Sequence, residues 1–186
     1  MHRFIYFSCI FTAQKYHFTF TMNSYIIREI QQKDNQAIAK IVRDVLMELG
    51  APKVGTAYAD ANLDSLYETY QNPKFVYYVI EINNKIIGGA GIGPLENDLE
   101  SICELQKMYL LPEARGLGLA KQLIDKCLQS AINFGYKNCY LETMVYMTAA
   151  QKLYSKSGFE YLKSPLGNTG HTSCPVWMLK SLNLKN

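Results

Sequence analysis

Residues 111–131, LPEARGLGLAKQLIDKCLQSA, set one arginine and two glycines directly ahead of a run that repeats like a helix. A helix start carries unpaired N–H groups and a partial positive charge. Gly116 and Gly118 let the backbone come close to a ligand and adopt torsions that other residues avoid, and Arg115 adds a cation. Together these suit a pyrophosphate; the alternative is a plain turn with a solvated arginine. A second chemical group lies upstream, where Glu104 interrupts the apolar stretch LESICELQKMYLL. A carboxylate inside a buried strand is costly unless it is used or paired. Its alternatives are a partner in Lys107 or a position facing solvent at the strand's start. Glu142 in NCYLET and His171 in the loop PLGNTGHTSC are further titratable groups, although a lone loop histidine is more often solvated or structural.

The elements that must position these groups follow from periodicity and punctuation. YIIREI reads as a strand. Asp34 is placed to cap a helix with apolar positions Ile38, Ile41, Val42, Val45, Leu46 and Leu49, stopped by Gly50 and Pro52. A second helix is expected from about Asp60 to Tyr70. It would align Asp60, Asp64 and Glu68 on one face, as a solvated acidic stripe or an attractor of cations. KFVYYVIEI and IIGGAGIGPL read as a hairpin about Asn83-Asn84. The strand carrying Glu104 closes at Pro112, and the helix after Gly118 runs to a left-handed cap at Gly135. A strand NCYLET, a helix around TAAQKLYSKS and strands near FEYLK and CPVWMLKSL complete an α/β (α+β) pattern with one βαβ-like crossover. Tyr58, Tyr67, Tyr70, Tyr77 and Tyr78 could floor an acceptor pocket, but among 14 tyrosines most will be packing.

Composition bounds the rest. A chain of 186 residues, 48% hydrophobic and 19% charged, suits one globular domain. Residues 22–186 hold it, and the aromatic-rich residues 1–21 read as an N-terminal extension outside the core. A net charge of +3 with scattered Lys and Arg gives no nucleic-acid footprint. Five cysteines without a CxxC pair, and three histidines, make no zinc-like spacing, so no metal is expected. Scattered thiols and no apolar run of about 18–20 residues point to a reducing, cytoplasmic setting without a membrane span.

Two nucleotide motifs fail to fit the stretch after Pro112. A Walker A needs Gly-Lys-Ser/Thr, and a dinucleotide fingerprint begun at Gly116 needs Gly or Ala where Lys121 stands. What remains is Arg115-x-x-Gly118-x-Ala120, which resembles the acetyl-CoA motif of the GNAT superfamily of N-acetyltransferases. ELQKMYLLPEARGLG resembles that family's central strand and pyrophosphate loop, and AAQKLYSKSGFEYL its later helix and strand. One departure is visible: Met147 stands where the family often has an asparagine that bonds the cofactor.

The resemblance implies a mixed, mostly antiparallel central sheet flanked by about four helices, with splayed central strands forming an acetyl-CoA cleft. It implies an acetyl-CoA-dependent N-acetyltransferase of a small-molecule or peptide amine, as a monomer or homodimer. Strand residues Met108, Tyr109 and Leu110 would hold the acetyl carbonyl and pantetheine arm through the Met108 and Leu110 amides. Amides of Arg115, Gly116, Leu117, Gly118, Leu119 and Ala120 would hold the pyrophosphate. Glu104 would act as base, with Glu142 and His171 as rivals, and Tyr154 as general acid toward the leaving sulfur. A non-catalytic acyl-CoA-binding module on the same fold would need the cleft but neither Glu104 nor Tyr154.

Overall fold

Asn83 and Asn84 carry the left-handed torsions (φ 50° and 62°) that a tight hairpin turn demands. They join β2 (Val76–Ile82) to β3 (Lys85–Pro94) as the sequence leads one to expect. The computed structural model describes residues 24–96 and 101–182, so the extension expected at residues 1–21 lies outside it. β1 (Tyr25–Glu29) flanks β2, and β4 (Ile102–Leu110) flanks β3. β5 (Asn138–Thr143), β7 (Val176–Ser181) and the short β6 (Glu160–Tyr161) complete a seven-stranded sheet in the order β1-β2-β3-β4-β5-β7-β6.

Every neighbouring pair is antiparallel except β4 with β5. A parallel pair needs a crossover, and α3 (Leu119–Asn133) supplies it. Alternation along β2 sorts the core into two. Tyr78 and Ile80 join the face covered by α3 and by Tyr154 of α4 (Thr148–Lys156), whereas Tyr77 and Val79 join the face covered by α1 (Asn35–Glu48). Among the described residues no helix is long and apolar enough to cross a membrane.

Two local expectations are corrected. Asp34 does not cap α1 from outside, because its own backbone is already helical. A 3-10 turn at Gln32–Asp34 starts at Gln31, and the Asp34 carboxylate reaches back to accept from the Gln31 N–H at 2.8 Å. The helix expected from Asp60 to Tyr70 is reduced to a 3-10 turn at Leu63–Ser65 and one α-helical turn, α2 (Leu66–Thr69), after a separate 3-10 turn at Ala57–Ala59. Buried Leu63, Leu66 and Tyr70 pin this segment to α1 and the sheet. Its acids then scatter rather than align. Asp64 pairs with Arg43, Glu68 accepts from Asn35 and Gln32, and Asp60 turns inward to Lys107 and His171.

Candidate active site

β4 and β5 pair only through Ile102, Cys103 and Glu104. Beyond Glu104 the two strands part, and β4 remains hydrogen-bonded on its β3 side alone. The gap opens into a cleft of about 410 Å³, walled by residues 104–110 of β4, by Glu142 and Thr143 at the end of β5 and Met144 after it, and by Leu153 and Tyr154 of α4. The Leu111 N–H donates to the Ile87 carbonyl at 2.9 Å. Alternation along a strand therefore turns the Leu110 amide away from β3 toward the gap.

A bulge shapes this wall. Lys107 and Met108 together oppose Ala90, and Lys107 takes a left-handed φ of 49°. Its carbonyl accepts from the Tyr77 hydroxyl at 2.8 Å, which holds the bulge from below.

Arg115, Gly116 and Ala120 line the cleft at the far end of β4. Gly118 caps α3 with φ 75°, Gly116 has the same φ, and a Cβ at either position would meet nothing within 4 Å. Both glycines are thus required by their torsion and leave the backbone open to solvent, and the first N–H groups of α3 have no intrahelical partner. Leu117 is exposed between them, and Leu119 is buried in the core. Arg115 is not an unpaired cation. Its guanidinium forks onto both oxygens of Glu48 (2.7 and 2.8 Å), and its Nε donates to the Leu110 carbonyl at 3.1 Å. Arg115 therefore ties the end of α1 to the end of β4.

Tyr154 is buried against Phe159, with ring centroids 6.1 Å apart. Its hydroxyl has no hydrogen-bond partner among the described residues, and burial pushes its pKa up to about 12. Met147 also lines the cleft, and its sulfur accepts from the Thr143 hydroxyl at 3.5 Å.

Charge gathers at the other end of the cleft. Glu104 is buried, and one carboxylate oxygen accepts from Gln106 Nε2 at 2.7 Å. Gln106 in turn accepts from the Tyr70 hydroxyl at 2.7 Å. Burial raises the Glu104 pKa; the Gln106 hydrogen bond and the charges of His171 and Lys107 pull against it, and Glu142 adds to it. The expected alternatives for Glu104 are set aside: it faces inward, and the Lys107 ammonium goes to Asp60 at 2.6 Å instead.

His171 Nε2 lies 3.1 Å from the same Asp60 carboxylate. Burial would lower the imidazole pKa, but the hydrogen bond and charge of Asp60 outweigh it and hold the pKa up. Glu142 receives one hydrogen bond on each oxygen, from Tyr140 (2.7 Å) and Thr169 (2.8 Å). Glu104, Glu142 and His171, rivals in the sequence, are brought to one wall. The Asp60 link and the Gln106–Tyr70 support have no local signal, because their partners lie far apart in the chain. Among the described residues no group of three or more His, Cys, Asp or Glu could hold a metal ion.

The family model for the acetyltransferase (GNAT) family matches residues 42–159. The uncharacterized N-acetyltransferase YjgM of Escherichia coli (strain K12) is 44% identical over 158 residues, covering 84% of this chain and 95% of that protein. A GNAT-family acetyltransferase from Staphylococcus aureus Mu50 is similar in structure, with a TM-score of 0.77 at 20% identity over 86% of this chain and all of that one. The Salmonella typhimurium yncA protein, solved with its cofactor acetyl-CoA, gives 0.70 at 20% identity over 87% and 95% of the two chains.

Proposed function

The chain belongs to the acetyltransferase (GNAT) family and is an acyltransferase, and from that premise we propose that it moves an acetyl group from acetyl-CoA to a primary amine by direct attack on the thioester. Acetyl-CoA lies in the β4–β5 gap, its pyrophosphate on the amides from Arg115 to Ala120 and its carbonyl on the Met108 and Leu110 amides. Donors held by a strand need no reorganisation as charge develops on the thioester oxygen.

An alkylammonium is unreactive until it loses a proton, since its ordinary pKa lies well above neutrality. Glu104, with its raised pKa, takes that proton through intervening water, since it stands four residues up β4 from Met108. The amine nitrogen bonds to the thioester carbon, the C–S bond breaks, the departing thiolate takes the Tyr154 hydroxyl proton, and the second nitrogen proton, shed as the amide forms, restores the Tyr154 hydroxyl. The observation that carries this reading is a gap in the sheet with a buried carboxylate on its β4 wall, the Tyr154 phenol on its α4 wall and a glycine-started helix at its end.

An amine panel incubated with acetyl-CoA, read by free-thiol release, tests it. Thiol release that needs both protein and amine is the expected result. Acetyl-CoA bound in calorimetry with no amine-dependent release across the panel would instead mark a non-catalytic binding module.

A further inference from the structure

The ends of the cleft differ in charge. Arg115 is neutralised by Glu48 at the α3 end. Glu104 stands six residues up β4 from Leu110, roughly 20 Å away at strand rise. Around it the described charged groups are three carboxylates, Glu104, Glu142 and Asp60, and two bases, Lys107 and His171. Both bases already share Asp60, and the Lys107 side chain is only 7% exposed. Both Glu142 oxygens are oriented by neutral hydroxyls, which leaves its charge uncompensated. With His171 protonated, three negative charges face two positive ones, and one negative charge is left over on a largely buried wall.

Resting on the acetyltransferase reading, we propose that the acceptor is an amine carrying one net positive charge and no carboxylate: an alkylamine, an amino-acid amide or a peptide amino terminus, but not a free amino acid. An ammonium brings the one charge that the wall lacks. Passing its proton to Glu104 then leaves the total unchanged, so the reactive state is reached without burying new charge. A free amino acid is a zwitterion. It would add no net charge and would set a fourth carboxylate beside Glu104 and Glu142, where like charges in a desolvated site are strongly repelled. The tyrosines around the site do not alter the count, since burial raises the pKa of Tyr70, Tyr109, Tyr140 and Tyr154 and keeps them neutral; Cys174 is likewise raised, to about 11.

Leucine, leucinamide and 3-methylbutylamine share an amino group and an isobutyl side chain, and only leucine carries a carboxylate, so they test this property. Calorimetric binding to CoA-saturated protein and turnover with acetyl-CoA are measured for all three, in the wild type and in Glu142→Gln. The amide and the amine are expected to exceed leucine by at least about tenfold in both readouts, with Glu142→Gln narrowing that gap. The amide-to-amine ratio separates peptide-like from simple amine acceptors. Leucine binding as well as or better than its amide overturns the proposal, and so does a gap that Glu142→Gln leaves unchanged. Should the binding order hold while no thiol is released with any member, the acetyltransferase reading fails and only the charge preference of the wall stands. Turnover that favours leucine leaves the acetyltransferase reading intact and refutes the inference.

Discussion

Tyr154 and Glu104 are both buried, and under the proposed mechanism their burial has opposite chemical uses. For a phenol, burial favours the protonated form, which is the form an acid needs. For a carboxylate, burial raises proton affinity, which is what a base must have to compete for an ammonium proton. Tyr154→Phe keeps the ring against Phe159 and removes only the hydroxyl. Acetyl-CoA affinity should hold while turnover falls by about 10² to 10³; equal turnover at equal affinity would reduce Tyr154 to packing. Glu104 is ionised only above its raised pKa, so wild-type rates should climb with pH through that value. Glu104→Gln should lose this limb and fall by at least about 10², recovering only at alkaline pH where the amine loses its own proton. pH–rate profiles at saturating acetyl-CoA decide it. The burial of Glu104 was legible in the sequence from its apolar strand, whereas the base and acid roles proposed for Glu104 and Tyr154 come from the family resemblance. What was not legible was their support: Gln106, Tyr70 and the Glu142 hydroxyl partners come from segments that no sequence spacing relates.

At the level of elements, the segment between α1 and β2 shows why the acidic stripe misled. Spacing alone makes Asp60, Asp64 and Glu68 neighbours on a helix, but three buried apolar anchors and three separate polar partners outweigh a weak helical preference. The broken segment aims Asp60 at the β4 bulge and the loop carrying His171, so one carboxylate ties three elements together. Asp60→Asn leaves Lys107 and His171 without a counter-charge. The cost should be about 3 kcal/mol, the low end for breaking a buried pair because Asp60 keeps some solvent contact. Its pH dependence has two edges. The Asp60 pKa is lowered, so its stabilisation is present above its unfolded value and fades as pH falls through the folded one. The His171 pKa is raised, so its share is complete below the unfolded value and is lost as pH rises through the folded one. Denaturant unfolding of both proteins should show their difference largest between these edges; a pH-independent difference would mean the pair is not the cause.

Across the whole molecule the sheet is two blocks, β1–β4 and β5–β7, whose strands join through three paired residues. The hairpin and the α3 crossover were readable because turn residues and helical periodicity are local. The early parting of β4 from β5 was expected only through the resemblance, since strand pairing across an intervening helix leaves no pattern in either strand. Such a junction is held further by the Asp60–His171 pair, by the Ser173 N–H donated to the Gly55 carbonyl at 3.0 Å, and by whatever fills the gap. A cofactor lying between the blocks binds the folded chain and not the unfolded one, so at a hundred times its dissociation constant it should add about 2.7 kcal/mol. For a chain of this size that is a rise in melting temperature of roughly 5–10 °C. Gly118→Val tests the route of that gain. Its φ of 75° makes a branched side chain strained, so the variant should melt lower on its own. Its Cβ would also stand in the open space before α3, so acetyl-CoA should no longer raise its melting temperature. Scanning calorimetry with and without acetyl-CoA separates the two effects: a lowered baseline with the full ligand shift retained would move the pyrophosphate away from this loop.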